Sequence, residues 1–368
     1  MSSPSQKLFE HIQIGGITLG NRVVMAPLTR MRATETHVPG PHAAEYYSQR
    51  SVAPGTLLIS EATFIGEKAS GYPCVPSIYS DEQIAGWKDI VDAVHAKGSF
   101  IYLQLWALGR QADPAELKRD NASNEYTAAS AIPTVSLFTG ETVEEIQEFV
   151  ALYATAASNA VHKAGFDGVE VHGASGYLVD QFLQDVSNNR TDNYGGSVEN
   201  RSRFALEVIK AIVAAVGEKK TALRLSPWST VQGMGMSNPV PQFTHLVCAI
   251  RDLYPEFAYL HVIEPRVNNY EDVETIPAHK WAERDALYAL WAPKPLISAG
   301  GYDRELGLDV AQKTGRLVAY GRLFISNPDL VRRLKENLPL AKGNRATYYS
   351  PRDYTPAGYT DYPFAQEA

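Results

Sequence analysis

Residues 295–321 read PLISAGGYDRELGLDVAQKTGRLVAYG. The stretch opens on one apolar run, PLISAG at 295–300, and closes on another, LVAYG at 317–321. A helical pattern over 304–313 lies between them. Two short strands joined by a helix make a parallel crossover unit. Runs that are apolar at nearly every residue suit strands covered on both faces, as parallel sheets are.

The same alternation recurs along the chain. VVMAP lies at 23–27, TLLISE at 56–61, SFIYLQL at 99–105, GVEVHG at 168–173, TALRLSP at 221–227 and FAYLHVIE at 257–264. With the two above they make eight candidate strands. Asp81 to Lys97 reads as a helix, because Ile84, Trp87, Ile90, Val91 and Val94 recur at helical spacing and Gly98 stops it. Thr142 to Ala164 is a second, opened by the capping-box pair Thr142 and Glu145. Ser197 to Val216 is a third, and shorter patterns follow at 240–253, 304–313 and 327–337. Asn327-Pro328 reads as the start of the last one. Eight strands alternating with helices predict a (β/α)₈ TIM barrel, with 1–368 forming one domain. IQIG and ITLG around Gly15 and Gly16 predict a small hairpin plugging the lower end. The polar segment 107–141 reads as a long loop insertion over the top face after strand three. The competing open doubly wound sheet lacks a Gly-x-Gly-x-x-Gly fingerprint after the first strand.

Composition narrows the function. Of 368 residues, 34 are Lys or Arg and 41 Asp or Glu, a formal charge of −7, so no basic footprint for nucleic acid is present. No run of about 18 apolar residues predicts a membrane span. The start, MSSPSQKLFEHIQIGG, lacks the apolar core of a signal peptide. Cys74 and Cys248 are too few and too far apart for a disulfide framework or a zinc site. Two buried thiols in a reducing cytoplasm are expected.

In a barrel, chemistry sits at the carboxyl ends of the strands. Those ends carry Pro27 and Thr29, Glu61 and Ala62, Gln104 and Trp106, His172 and Ser175, Arg224, Glu264, Gly300 and Gly301, and Gly321 and Arg322. Ala-Gly-Gly at 299–301 and Tyr-Gly-Arg at 320–322 fall at the usual phosphate position, where backbone N–H groups approach an anion and an arginine fork completes the grip. The same glycines would also serve as tight turns, with Arg322 pairing a surface acid. Gln104 ends a buried strand, where its amide either reads a heterocycle or bonds neighbouring backbone. Arg224, between Leu223 and Leu225, needs a negative partner: Glu170, Glu264 or an anionic cofactor group.

VVMAPLTRMRA at 23–33, LQLWALGR at 103–110, VEVHGASGYLVDQFL at 169–183 and NNRTDNYGGSVENRSRF at 188–204 resemble the Old Yellow Enzyme family. So do LRLSP at 223–227, YGRLFISNPDL at 320–330 and GYTDYPF at 358–364. The motifs keep the family's order and span nearly the whole chain, closest to yeast and fungal members. The resemblance implies a barrel that binds FMN non-covalently and uses NADPH to reduce the C=C bond of α,β-unsaturated carbonyl compounds. It implies that Pro27, Leu28 and Ala62 line the flavin and that Thr29 bonds its O4 region. Gln104 would bind the pyrimidine edge, Arg224 would lie by N1 and the C2 carbonyl, and Gly300, Gly301, Gly321 and Arg322 would hold the phosphate. His172 and Ser175 would bind the substrate carbonyl oxygen, although the family's second donor is Asn or His rather than Ser. Tyr177 would protonate Cα, while Trp106, Tyr348 and Tyr349 shape the substrate side.

The implied partner is a small enone or enal, with no nucleic acid and no membrane, and monomer and homodimer both stay open. Three other readings remain. One is an ergot-alkaloid-type aldehyde reductase or isomerase, in which the presence of Tyr177 favours reduction. Another is a non-catalytic flavin-binding protein. The third is a metal-dependent hydrolase or aldolase using Glu170, His172, His261 and Glu264, which lacks a two-His ligand motif.

Overall fold

The computed structural model describes residues 6–120, 127–129, 139–140, 142–268 and 271–366. The eight expected strands are all present: β1 (Val23–Met25), β2 (Leu57–Ile59), β3 (Phe100–Trp106), β4 (Gly168–Gly173), β5 (Thr221–Leu225), β6 (Tyr259–Ile263), β7 (Leu296–Ala299) and β8 (Leu317–Tyr320). Neighbours pair in parallel in chain order, and β8 returns to β1, so the sheet closes into a barrel. That closure replaces the open-sheet alternative. The outer helices are α1 (Ala43–Arg50), α2 (Asp81–His95), α3 (Val143–Ser158), α4 (Val198–Val216), α5 (Val240–Leu253), α6 (Ala278–Trp291), α7 (Arg304–Thr314) and α8 (Leu330–Glu336).

Strand parity sorts the side chains into two cores. Leu103 and Leu105, Val169 and Val171, Leu223 and Leu225, and Leu260 and Val262 point outward and pack with the helices. Val24, Leu57, Ile59, Tyr102, Ala222, Tyr259, Ile297 and Leu317 point inward and fill the barrel. The hairpin pairs Ile12–Ile14 with Ile17–Leu19, and its Ile14 and Leu19 join this inner cluster as the expected floor. Burying those two side chains contributes about 3–6 kcal/mol, comparable with the net stability of a domain.

Helix starts follow their local chemistry. Ser80 and Gln83 form a capping box on α2. Thr142 and Glu145 form the expected one on α3, with bonds of 3.2 and 2.7 Å. Ser197 caps α4 through the Asn200 N–H. The second helical stretch reaches Ala164 as expected, but its last turns, Asn159–Ala164, are a π turn that stops at Gly165.

Four expectations need correction. The last helix does not start at Asn327-Pro328: α8 begins at Leu330. The Asn327 amide instead donates to the carbonyls of Leu323 and Ala341, and its oxygen accepts the Ala341 N–H at 2.7 Å. The insertion 107–141 is not all loop. It holds a 3-10 turn at Gly109–Gln111, a short helix, Pro114–Asp120, and a parallel pairing of Thr127–Ala128 with Thr139–Gly140, while residues 121–126, 130–138 and 141 lie outside the described residues. Helices α1 and α6 were not anticipated, because AAEYYSQR buries tyrosines and an arginine, and α6 buries only Leu287, Tyr288 and Trp291. Cys74 is buried but Cys248 is only half-buried, and both are free. No helix of the described residues is long and apolar enough to cross a membrane.

Three buried arginines fasten the carboxy-terminal segment to the barrel top. Arg30 donates to the carbonyls of Thr347, Tyr348 and Gly358. Arg32 donates to those of Asp353, Thr355 and Ala357, each at 2.8 Å. Arg50, over the Tyr46 ring, donates to Phe324, Ile325 and Tyr359.

Gly15, at the tip of the hairpin, has φ +46°, and a Cβ there would collide with the Lys219 carbonyl oxygen. Gly15→Ala is expected to lower stability by about 1–3 kcal/mol, read as an earlier urea midpoint with an unchanged slope.

Candidate active site

A cavity of about 670 Å³ opens at the carboxyl ends of the strands, a size typical of small-molecule sites. Its wall carries Pro27, Leu28, Thr29, Gln104, Trp106, His172, Ser175, Tyr177, Arg224, Gly300, Gly301, Gly321, Arg322, Tyr348 and Tyr349. Of the expected site residues only Ala62 is off that wall. It is buried beside it, in a cluster with Phe64, Val75 and Trp106. Fourteen residues named from strand ends and loops thus share one concavity with Tyr348, because barrel closure brings the strand ends together.

The upper barrel is chemically lopsided. On β3 to β6 the inward positions are polar: Gln104, Glu170, Arg224 and His261, in register as Gln104 beside Glu170 and Arg224 beside His261. On the β1, β7 and β8 side they are small: Ala26, Ala299 and Ala319 all line the cavity. A flat polar ring fits between such walls, with its hydrogen-bonding edge toward the first and its faces clear of bulky side chains on the second.

Neither acid expected to balance Arg224 forms an ion pair with it. Glu170 accepts from Gln104 Nε2 at 2.7 Å and from His261 Nδ1 at 2.9 Å. Glu264 is taken by Arg266 at 2.6 Å and by the Tyr302 hydroxyl at 2.9 Å. Arg224 Nε is buried without an acceptor among the described residues. Burial lowers the pKa of this guanidinium, and Glu170 opposes only at longer range. The cation therefore calls for an acceptor or anion inside the cavity. Gln104 resolves differently from its backbone-bonded alternative, since one amide donor goes to a carboxylate while the amide lines the cavity. Of the residues weighed for a metal site, Glu170 and His261 bond each other while Glu264 belongs to the Arg266 and Tyr302 network, and no three His, Cys, Asp or Glu side chains among the described residues are grouped as ligands.

His172, at the top of β4, is buried, and its pKa is pushed well below 6.5 by burial and by the nearby Arg224 and His261. It is neutral at physiological pH. Its Nδ1 is buried with no partner among the described residues, so the proton is better carried on Nε2, where a ligand in the cavity can accept it. Ser175 and Gly176 follow with φ of +58° and +79°, and the Tyr177 N–H reaches the Ala174 carbonyl at 3.4 Å. Positive φ at both central residues marks a type I′ turn. The Ser226 hydroxyl fixes it by accepting the Ser175 N–H at 2.7 Å. The turn brings the Tyr177 ring 5.0 Å from His172 and 4.7 Å from Trp106, edge-on to both. Burial raises the Tyr177 pKa, with Tyr72 adding to it, so the phenol stays protonated.

Sequence reading missed Tyr72 and Gln232 on the same wall. The signal for Gln232 was the glycine-punctuated VQGMG at 231–235 just after β5, a polar loop at a strand's carboxyl end.

Residues 7–341 match the model of the NADH:flavin oxidoreductase / NADH oxidase family. The chain is 49% identical to the NADP-dependent oxidoreductase lnbE of Aspergillus flavus, over 98% of this chain and 97% of that protein. It is also 49% identical to the chanoclavine-I aldehyde reductase fgaOx3 of Penicillium roqueforti, with 98% and 97% covered. The crystal structure of Old Yellow Enzyme from a Pichia species superposes with a TM-score of 0.89 at 37% identity, covering 99% of this chain and 95% of that one.

Two outcomes follow from this geometry. Arg224→Met should act with opposite signs on two measurements. It removes a half-buried cation that has no ion-pair partner among the described residues, so the flavin-free protein should gain up to about 1 kcal/mol in thermal unfolding, while FMN titration shows weaker binding. Ser175→Asn should not destabilise the fold, because Asn-Gly is a preferred type I′ pair. If Ser175 faces a substrate oxygen beside His172, the longer Asn donor should also tighten binding of a phenolate, whose anionic oxygen imitates it, in a spectral titration, and weaker binding with an intact fold would mean the pocket is built around serine.

Proposed function

The chain belongs to the NADH:flavin oxidoreductase family and is an enzyme of the Old Yellow Enzyme type, and from that premise we propose that it is an FMN-dependent ene-reductase. It uses NADPH to reduce the activated C=C bond of α,β-unsaturated aldehydes or ketones. The observation that carries this reading is one wall holding a neutral imidazole, a protonated phenol and a cation that lacks an ion-pair partner.

In this reading the whole chain, 1–368, is one FMN-binding unit. Gln104 and Arg224 would hold the pyrimidine edge of FMN, and Thr29 would bond its O4 region. Pro27, Leu28 and Ala62 would flank the ring, and Gly300, Gly301, Gly321 and Arg322 would hold the phosphate, all without a covalent link. Bound there, FMN would supply the two-electron hydride chemistry between NADPH and the activated alkene. His172 Nε2–H and the Ser175 hydroxyl donate to the substrate carbonyl oxygen held between them and stabilise the negative charge that grows on it. Trp106 and Tyr349 shape the space around the alkene. Tyr177 gives its proton to Cα, which its raised pKa permits at neutral pH. Arg224 would offset negative charge that develops on the bound ring.

The relative named a chanoclavine-I aldehyde reductase supports an aldehyde as the natural substrate. The presence of Tyr177 favours net reduction over isomerisation. Free Cys74 and Cys248 suit the reducing cytoplasm in which we expect the enzyme to act.

Tyr177→Phe should separate the half-reactions in stopped-flow spectroscopy. Reoxidation of the flavin by an enone should slow by about 100-fold or more, the usual loss for a positioned acid. Reduction by NADPH, which needs no proton from this residue, should keep its rate. Enone reoxidation at the native rate would remove Tyr177 from the chemistry, and a purified protein that is colourless and takes up no FMN would remove the whole reading.

A further inference from the structure

We propose that Asp180 is a positioning residue for enone reduction: its carboxylate holds the turn that presents Ser175 and Tyr177 to the cavity, and holds it fully only while both of its oxygens can accept hydrogen bonds. The inference rests on the ene-reductase reading above and adds a residue to which neither the sequence motifs nor that reading gave a role.

Asp180 is fully buried in the short helix Leu178–Leu183 that follows the turn. Its Oδ2 accepts the Gly176 N–H at 2.9 Å. Its Oδ1 accepts from Gln184 Nε2, also at 2.9 Å. The Gln184 amide is fixed in that sense, because its Oε1 accepts the Gly235 N–H at 2.9 Å from the loop after β5. Each carboxylate oxygen therefore faces an N–H donor of set direction. The Gly176 N–H lies at the centre of the type I′ turn, between Ser175 and Tyr177. Other side chains hold its surroundings: the Ser226 hydroxyl accepts the Ser175 N–H, and Gln181 Nε2 donates to the Gly176 carbonyl at 2.7 Å. Tyr177 opens the helix without a side-chain cap, so the Asp180 carboxylate takes over the fixing of the backbone just before the phenol.

The groups that face this carboxyl are the Gln184 amide from the end of its own helix, the Gly176 N–H from the turn and, more weakly, the Arg110 guanidinium from the segment after β3. Burial outweighs all three and raises the Asp180 pKa to about 6. The group thus changes charge just below neutral pH. Protonation turns one oxygen into an O–H set against an N–H, which weakens either the Gly176 or the Gln184 contact. Activity and stability then move in opposite directions. The folded-state value lies above the 3.8 of an ordinary aspartate, so the neutral acid stabilises the fold fully below 3.8, and that stability is lost as pH rises through about 6. The ionised form that sets the turn is therefore the one the fold favours less.

The test uses the FMN-loaded full chain and follows its reoxidation by an enone in stopped flow on both sides of pH 6. The native rate should fall as pH drops through that value. Asp180→Asn keeps the shape and one acceptor oxygen but does not titrate. It should be about tenfold slower at neutral pH, as misplaced reacting groups are, and should lack this acid limb. Its melting temperature relative to the native chain should climb as pH rises from 3.8 to about 6 and then level off. Gln184→Met removes a donor that favours the ionised form, so it should move the limb to higher pH, and it serves even where Asp180→Asn does not fold. A limb that persists in Asp180→Asn, or that stays in place in a folded Gln184→Met, would overturn the proposal. So would a native rate for Asp180→Asn at neutral pH. If no enone reoxidises the loaded native protein at any pH, the ene-reductase reading itself has failed and the proposal falls with it.

Discussion

The upper half of the barrel depends on one buried carboxylate. Glu170 is fully buried and points inward from β4. It accepts from Gln104 on β3 and from His261 on β6, so a single acid links three strand ends across the barrel interior. The His261 pKa is lowered by burial, which leaves that ring as a neutral donor. With both Glu170 oxygens occupied, the carboxylate is satisfied locally and balances Arg224 only at a distance. A buried acid that paired directly with Arg224 would have made a closed, inert core. The arrangement seen here instead passes an unmet electrostatic demand upward into the cavity. The cofactor-binding character of the site begins with how Glu170 distributes its hydrogen bonds.

A second set of bonds decides how the cavity is walled. Arg30, Arg32 and Arg50 direct nine of their hydrogen bonds to main-chain carbonyls of the carboxy-terminal segment or of the short helix after β8. Such carbonyls have no regular secondary-structure partner, and buried without donors each would cost about 1–3 kcal/mol. Guanidinium groups meet that need with several fixed donors each. Tyr359 stacks on Tyr46 at 4.2 Å and seals the arginines from water. The segment can therefore cross the barrel top as an irregular chain and bring Tyr348 and Tyr349 to the rim.

The barrel was legible because parallel strands are written as short apolar runs, and because parity puts the polar exceptions, Gln104, His172 and Arg224, at their inward upper ends. The hairpin floor was legible from paired glycines between alternating residues. What escaped notice escaped for physical reasons. Helix α1 packs through tyrosines and an arginine, so its sequence lacks an apolar stripe. Asn327 has the composition of a helix cap, but its amide finds better partners in the tail at Ala341. The partner of Gln104 could not be read at all, since the 66 residues separating it from Glu170 vanish only when β3 and β4 align. The same holds for Ser226 on Ser175 and for Arg110 on Gln232, which are contacts between loops.

Backbone strain gathers where the site is built. Met31, Ser175 and Gln232 all have positive φ, between +57° and +60°, and all three line the cavity. Each departs from ordinary backbone preference at about 1–3 kcal/mol, and propensity alone would have replaced them with glycine or asparagine. Glycine would relieve the strain but would leave no hydroxyl at 175 and no amide at 232. The chain keeps the side chains and answers the strain with dedicated bonds, the Ser226 hydroxyl on one turn and the Arg110 guanidinium on the other. Those bonds come from β5 and from the segment after β3, the elements that flank the end of β4. The rigidity of the closed barrel is thereby transmitted to side chains on loops, so that groups far apart in sequence meet a small substrate at a fixed geometry.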